Sequence, residues 1–198
     1  AALAALVPSD KGPFMLIDSG ANVDCRPEML LQFAHMGSLY MTRVMNNGTP
    51  ATVGLLNVGT EDHKGGETQR EIFALLKDSG LNFVGNIEAR QVPMGAVDVL
   101  VCDGFSGNVL LKTMEGTADM LMSNLKRAFF TNLKTKIAAL LVKPQLGGLK
   151  KKMSTAEYGG APLLGVAKPV IKTHGNSKAE AVKNAIRVAA QFAEADVI

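Results

Sequence analysis

The fold class of this chain is predicted most clearly by residues 97–108, Val97-Asp-Val-Leu-Val-Cys-Asp-Gly-Phe-Ser-Gly-Asn108. The first half of this stretch, up to Cys102, is mostly apolar and rich in valine, which is typical of a strand buried on both faces. The strand ends at Asp103, glycines at positions 104 and 107 open a sharp turn, and a helical pattern runs from Asn108 to about Lys126. A buried strand, a glycine turn and a helix in this order predict one unit of a parallel α/β sheet.

The same order recurs on both sides of this unit. The patterns predict further strands over residues 14–17, 51–56, 82–84 and 170–172, and further helices over 27–44, 67–77 and 178–193. Because strands alternate with helices, we expect an α/β fold in three layers, an α/β/α sandwich around a largely parallel sheet.

Composition excludes several classes of protein. Of the 198 residues 47% are apolar, enough for a sizeable core, and no apolar run reaches the ~18 residues that cross a bilayer. Residues 1–7 are apolar but lack the basic start of a signal peptide, so we expect a soluble or peripheral protein. Cys25 and Cys102 form no Cys-x-x-Cys motif, which favours a reducing compartment and two buried thiols. No metal-ligand cluster is visible, and we expect neither a metal site nor a cofactor.

Three glycine-containing loops, at residues 18–22, 57–60 and 103–108, follow predicted strands at their carboxyl ends. In open parallel sheets, ligands bind at that edge. The second loop continues to position 66 and holds Asn57, Thr60 and Lys64 between glycines, which suits an anion approached by backbone amides and a lysine charge. It lacks the order of a Walker A loop, and an ordinary polar surface loop is the alternative.

The other two loops carry weaker signals. Asp18 and Asp24 are two carboxylates near a strand end that can line a cleft, although an Asx-turn or a helix cap explains Asp24 equally well. Asp103, Ser106 and Asn108 stand at the start of a predicted helix, where backbone amides bind anions, or Asn108 is only an N-cap.

His174 follows the last predicted strand and precedes a helix. This position suits anion binding or proton relay, and a structural role fits equally well.

Charge is unevenly distributed although the net charge is only +3. Residues 120–156 contain no Asp or Glu, and their basic residues are Lys126, Arg127, Lys134, Lys136, Lys143, Lys150, Lys151 and Lys152. Apolar residues recur among them at near-helical spacing, including Leu133, Ile137, Leu140 and Leu141.

This segment resembles an interfacial amphipathic helix on anionic lipid. Two shorter helices, or snorkelling lysine stems, fit the pattern better than one straight helix, and Pro144 is expected to close it. A dimer or core helix pair with a solvated basic face is the alternative. No aromatic stacking platform accompanies the charge, so we expect no nucleic-acid partner.

Seven motifs together resemble the PlsX family of phosphate acyltransferases over almost the whole chain. In chain order they are Asp18-Ser-Gly-Ala-Asn-Val-Asp24, Leu56-Asn-Val-Gly-Thr-Glu-Asp62 with Lys64-Gly65, Phe83-Val-Gly-Asn-Ile-Glu88, Asp103-Gly-Phe-Ser-Gly-Asn-Val109, Leu111-Lys-Thr-Met-Glu115, Tyr158-Gly-Gly160 and Ile171-Lys-Thr-His-Gly175. Members of that family also carry an amino-terminal region that nothing in this chain matches.

The resemblance implies a fold similar to isopropylmalate dehydrogenase and phosphotransacetylase. The α/β core would comprise residues 1–119 and 157–198, and residues 120–156 would be a helical excursion. It also implies a cytoplasmic, peripherally membrane-associated homodimer. Such an enzyme moves a fatty acyl group from acyl-acyl-carrier protein to inorganic phosphate, giving acyl phosphate for phospholipid synthesis.

The resemblance assigns catalytic roles to Lys64 and Asn108. Placement at strand ends adds substrate-binding candidates, which are Asn57, Thr60, Asp103, Ser106 and His174. The membrane-facing candidates are Leu133, Ile137, Leu140, Leu141, Lys150, Lys151 and Lys152.

Two other functions compete with acyl transfer. NAD-dependent decarboxylating dehydrogenases share the implied fold, but the cluster of metal-binding aspartates typical of them is not found in the sequence. A non-catalytic membrane-associated scaffold is the second alternative.

Overall fold

The structure, a computed structural model, describes residues 1–152, 160–173 and 177–194, without the side chains of 149–152. Its strands are β1 (Ala2–Ser9), β2 (Gly12–Ile17), β3 (Val53–Asn57), β4 (Phe83–Glu88), β5 (Val99–Val101), β6 (Ala161–Leu164) and β7 (Val170–Lys172). Its α-helices are α1 (Pro27–Tyr40), α2 (Glu67–Lys77), α3 (Gly104–Phe129), α4 (Leu133–Lys152) and α5 (Ala179–Glu194). A π-helical turn (Met41–Met45) extends α1, and a 3₁₀ helix (Ala89–Met94) follows β4.

The described strands form one sheet in the order β4-β3-β5-β2-β1-β6-β7. Neighbours from β4 to β2 are parallel, whereas β1 pairs antiparallel with β2 and β6, and β7 pairs antiparallel with β6. It follows that β1 and β7 alone run against the common direction of the other strands described. The predicted α/β fold with a largely parallel sheet is confirmed.

Side chains alternate between the two faces of the sheet, as the period of a strand requires. In β2, Met15 and Ile17 belong to one apolar cluster, and Phe14 and Leu16 belong to the other. The first cluster is completed by α1, α2 and α5, and the second by the 3₁₀ helix and the first turns of α3. Both faces of the sheet are therefore covered by helices, which gives the three layers.

Two strands went unpredicted, for identifiable reasons. Strand β1 is rich in alanine, which has low strand propensity, and its short apolar run has no helix-or-strand period of its own. It forms by pairing with β2 across a tight turn, from Ala4 with Ile17 to Ser9 with Gly12. Strand β6 is only four residues long and contains Pro162. Tertiary pairing, not local pattern, creates both.

Helices α3 and α4 form a hairpin that extends from the sheet, and no described side chain between positions 115 and 148 is buried. The break between the helices, after Phe129, agrees with the expectation of two shorter helices. The expectation that Pro144 closes the pattern is wrong, because Pro144 lies inside α4. A proline removes one backbone donor and crowds the preceding turn, but this helix continues through it.

The hairpin carries apolar side chains on its exposed surface. Leu133, Ile137, Leu140 and Leu141 are 54–74% exposed. Among the helices of the described residues, none has the length and hydropathy to cross a membrane.

Candidate active site

Three of the loops lie side by side because β3, β5 and β2 are adjacent, parallel strands. The loop with Lys64 follows β3, the turn into α3 follows β5, and the loop that begins at Asp18 follows β2. Neighbouring strands are about 4.8 Å apart, so the first and third loops leave the sheet roughly 10 Å from each other. The structure thus brings all three to one edge, as the sequence predicted.

Asp18 is fully buried and organises the loop after β2. Its carboxylate accepts hydrogen bonds from the backbone N–H groups of Leu3 (3.1 Å), Gly20 (3.0 Å), Ala21 (3.0 Å) and Asn22 (2.7 Å). The Asn22 side-chain amide donates a fifth bond of 2.7 Å. A buried carboxylate with this many donors is a structural centre, so the interpretation of Asp18 as a cleft-lining group is wrong.

Helix α3 starts one turn earlier than predicted. Asp103 is its N-cap, because its Oδ1 accepts from the backbone N–H of Ser106 at 2.7 Å and its Oδ2 accepts from Ser106 Oγ at 2.9 Å. Asn108 is therefore not the cap but lies in the second turn. The glycines at 104 and 107 lower helix propensity, yet the cap and close packing override that local preference.

The start of α3 packs so closely against the Asp18 loop that their backbones are in direct contact. The N–H of Gly104 donates to the Asn22 carbonyl at 2.7 Å. A Cβ atom at position 107 would lie 1.9 Å from the Asp18 carbonyl oxygen, so only glycine fits there. The same packing sets exposed Asn108 beside Gly20, where an added Cβ atom would lie 3.5 Å from the Asn108 Cβ.

Lys64 keeps its ammonium group largely uncommitted. Its side chain is 40% exposed, and its Nζ lies 3.9 Å from Oε1 of the exposed Glu61. Exposed ion pairs of this kind contribute about 0–1 kcal/mol, so an anionic ligand competes readily for the lysine. Thr60 is exposed in the same loop. The electrostatics of the loop therefore suit an incoming anion.

Asn57 has a different environment from Lys64, because it is nearly buried. Its Nδ2 donates to the Lys64 carbonyl and to Asn86 Oδ1, each at 3.1 Å, and its Oδ1 accepts from the N–H of Val58 at 2.8 Å. The Asn57 amide is therefore used to hold the loop and does not face solvent. Direct contact between Asn57 and substrate stays a prediction.

Asn86, in the middle of β4, is a residue to which the sequence assigned no role. It is buried, and its Nδ2 donates to the Glu61 carbonyl at 2.8 Å. The predicted strand ends at residue 84, so the sequence does not show that Asn86 lies inside a strand and needs a buried partner.

The two cysteines are free thiols. Burial raises the pKa of Cys102 well above its ordinary value, and its Sγ lies 3.5 Å from the Asp18 carbonyl oxygen. Cys25 is only partly buried, in contrast to the prediction, and burial also raises its pKa. Both thiols are therefore protonated at neutral pH and are poor nucleophiles.

Some predicted site residues fall outside what the structure describes. His174 lies in an undescribed segment, as do Tyr158 and Gly159 of the Tyr158-Gly-Gly160 motif, and the side chains of Lys150, Lys151 and Lys152 are likewise outside the described part of the chain. Among the side chains described, no group of three or more His, Cys, Asp or Glu residues is placed to hold a metal ion.

An open sheet whose adjacent parallel strands end in polar, glycine-containing loops defines an α/β protein with a candidate ligand site at the carboxyl edge of the sheet. The chain belongs to the fatty acid synthesis protein family, whose sequence model matches residues 1–198.

Its relatives are similar over nearly the whole chain. A phosphate acyltransferase of Brevibacillus brevis is 55% identical over 197 residues, which are 99% of this chain and 58% of that protein. The phosphate acyltransferase of Anoxybacillus flavithermus is 54% identical, covering 100% of this chain and 60% of that protein. The chain thus spans about three fifths of the length of these relatives.

A solved structure shares the fold. The phosphotransacetylase of Streptococcus pyogenes superposes with a TM-score of 0.55 at 17% identity, covering 98% of this chain and 54% of that chain. This likeness confirms the phosphotransacetylase-like fold that the resemblance to the family implied.

The close approach at Gly107 leads to a stability prediction. Gly107→Ala places a methyl group against the Asp18 carbonyl, and we expect it to lower the free energy of unfolding by about 3 kcal/mol in urea titrations. Gly116→Ala is the matched control on the same helix, because a Cβ there meets nothing within 4 Å. It should raise stability by about 0.5–1 kcal/mol. Equal effects of the two changes would contradict the packing described.

Proposed function

We propose that the protein transfers a fatty acyl group from the thioester of an acyl carrier protein to inorganic phosphate. The product is the acyl phosphate used in phospholipid synthesis. The observation that carries this proposal is the convergence of three loops at one sheet edge, with Lys64 largely uncommitted and Asn108 exposed there. The names of the relatives, phosphate acyltransferase, support the same activity.

The reaction needs positioning and charge stabilisation more than acid–base catalysis. A phosphate oxygen attacks the thioester carbonyl carbon, a C–O bond forms, the C–S bond breaks, and the thiolate leaves and takes a proton from solvent. Phosphate is already anionic, and a thiolate is a tolerable leaving group. The protein must therefore hold an anion beside a carbonyl and stabilise negative charge on oxygen.

Lys64 and Asn108 supply two complementary groups for this task. The Lys64 ammonium holds phosphate and stabilises the charge as the new bond forms. The Asn108 side-chain amide donates to the thioester carbonyl or to a phosphate oxygen. Asp103 and Ser106 support Asn108 through the cap of α3, in the bonds described. Thr60 and His174 remain candidates for substrate contact.

Apolar side chains near this edge fit an acyl substrate. Val58 directly follows Asn57, whereas Phe105 and Val109 lie in the first two turns of α3. All three side chains are exposed. Ligand sites commonly pair a few polar groups with apolar walls. A fatty acyl chain would cover such surface while its thioester reaches the polar groups.

The α3–α4 hairpin supplies a surface for a proposed contact with a membrane. Its exposed leucines and isoleucine stand among basic residues, and residues 120–156 have no acidic residue. This combination suits the interface of a membrane rich in anionic lipid. We propose peripheral attachment there, in the cytoplasm, and a homodimer as the assembly, as the resemblance to the family implies.

The role of Lys64 is tested by Lys64→Ala in the full-length protein. We expect phosphate-dependent release of free thiol from acyl-acyl-carrier protein to fall ~10²-fold or more, as for removal of one preorganised stabilising group. Lys77→Ala is the matched control, since Lys77 is exposed, pairs with the exposed Asp62 and lies over the ring of Phe73. Its turnover should stay near normal.

The same assay separates the competing functions. Near-normal turnover of a folded Lys64→Ala protein would contradict the assignment. Thiol release that never rises above the uncatalysed background, with or without phosphate, would favour the non-catalytic scaffold. Reduction of NAD with a hydroxy acid would instead favour the dehydrogenase alternative.

Attachment of the hairpin to lipid is tested by reversing charges. Replacing Lys150, Lys151 and Lys152 with Glu should weaken binding to anionic liposomes about a hundredfold in flotation assays, at ~1 kcal/mol for each lysine near the surface.

The control reverses three lysines outside the hairpin, Lys11, Lys77 and Lys183, which are exposed. Unchanged binding should result from the control set. If both sets of replacements weaken binding equally, overall charge and not the hairpin drives attachment.

A further inference from the structure

The loop that carries Lys64 leaves the sheet after β3 and returns as α2, and two buried amide side chains meet beneath it. Asn57 is 9% exposed and Asn86 is 4% exposed. Their side chains bond to each other, with Asn57 Nδ2 donating to Asn86 Oδ1 at 3.1 Å. Burying a polar pair costs free energy unless all of its polar groups are hydrogen-bonded. The bonding partners of the pair therefore indicate its structural role.

Each amide of the pair holds a different point of the loop. Asn57 accepts from the N–H of Val58 at the start of the loop and donates to the carbonyl of Lys64 near its end. Asn86, from the neighbouring strand, donates to the carbonyl of Glu61 at 2.8 Å. The start, middle and end of the loop are therefore all tied to the same buried pair.

Both backbone polar groups of Lys64, its N–H and its carbonyl, are hydrogen-bonded. Its N–H donates to the Glu61 carbonyl at 3.0 Å, and that carbonyl is the one that Asn86 also holds. Its own carbonyl accepts from Asn57. The direction in which the Lys64 side chain leaves the backbone is thus set by the amide pair, which makes no charged contact with the ammonium group.

The glycines of the loop fit this arrangement closely. Gly65 has φ of +86°, and a Cβ there would lie 2.7 Å from Asn57 Oδ1. A Cβ on Gly59 would lie 3.0 Å from Lys64 Cγ, so the lysine stem lies against the backbone of Gly59. The loop has little room to place Lys64 differently while the amide pair stays intact.

We propose that Asn86 is a positioning residue for the reaction, because through Glu61 and Asn57 it fixes the backbone of Lys64 and so aims the ammonium group at the bound anion. This inference rests on the proposed function of Lys64. It assigns to the middle of β4, a strand whose carboxyl end lies outside the three convergent loops, a specific part in catalysis.

A double-mutant cycle in the full-length protein tests the proposal. Asn86→Ala should lower phosphate-dependent turnover tenfold to roughly a hundredfold, with most of the loss in kcat, as for misplacement of a catalytic group by about 1 Å. In a Lys64→Ala background the same change should cost less than about twofold, because the group that it aims is gone. Equal losses in both backgrounds would overturn the proposal.

Thr52→Val is the matched control. Thr52 bonds to Asp98 through its hydroxyl (2.8 Å) and accepts from the Asp98 N–H (2.9 Å), just before the opposite end of β3. Removing the Thr52 hydroxyl breaks a comparable set of hydrogen bonds that does not involve the Lys64 loop. Whatever factor it produces should be the same with Lys64 intact and in the Lys64→Ala background, unlike that of Asn86→Ala.

A second measurement needs no activity and so separates this proposal from the proposed function. Amide hydrogen exchange of residues 58–66 should speed up roughly threefold to tenfold in Asn86→Ala and stay unchanged in Thr52→Val. Asn86→Leu, which removes the donor to Glu61 at similar side-chain volume and adds no charge, serves if Asn86→Ala does not fold. Unchanged exchange in the folded Asn86 variant would overturn the proposal even if the enzyme is active. If exchange is faster in the Asn86 variant but the unaltered protein shows no phosphate-dependent thiol release, the result would instead count against the proposed function.

Discussion

The carboxylate of Asp18 is the buried charge on which this edge of the sheet depends. It gathers the N–H groups of its own loop and that of Leu3, and so joins the antiparallel strand β1 to the turn after β2. Helix α3 then packs on the same loop at backbone distance, with Gly107 against the Asp18 carbonyl. Because the helix start is fixed in this way, the position of Asn108 follows from a fully buried carboxylate.

A second network on the other side of β5 fixes Lys64. Here neutral amides replace the carboxylate, and they tie three carbonyl and N–H groups of the loop to the interior of β3 and β4. The two candidate catalytic side chains are thus presented by separate buried polar networks on one rigid sheet. Such rigidity suits a reaction in which positioning and electrostatic stabilisation lower the barrier.

Sequence patterns predicted the elements whose own residues determine them. Helix α2 and strand β7 have the predicted bounds, because an amphipathic period and clear stop signals define the first and a β-branched run defines the second. Strand β1 and the first turn of α3 were missed, since pairing with β2 and packing on Asp18 create them. Lys64 and Asn108 became candidates through their loops and the family resemblance, whereas Asn86 did not, because a buried partner 29 residues away gives it its role.

We propose that the loops after β3, β5 and β2 form one anion-holding site with Lys64 pointing into it. A crystal structure of the full-length protein with bound phosphate tests this most directly. We predict phosphate oxygens within about 3.2 Å of Lys64 Nζ and of the Asn108 amide or the neighbouring backbone amides of α3. A phosphate bound at another edge of the sheet, with Lys64 and Asn108 on opposite sides of the molecule, would contradict it.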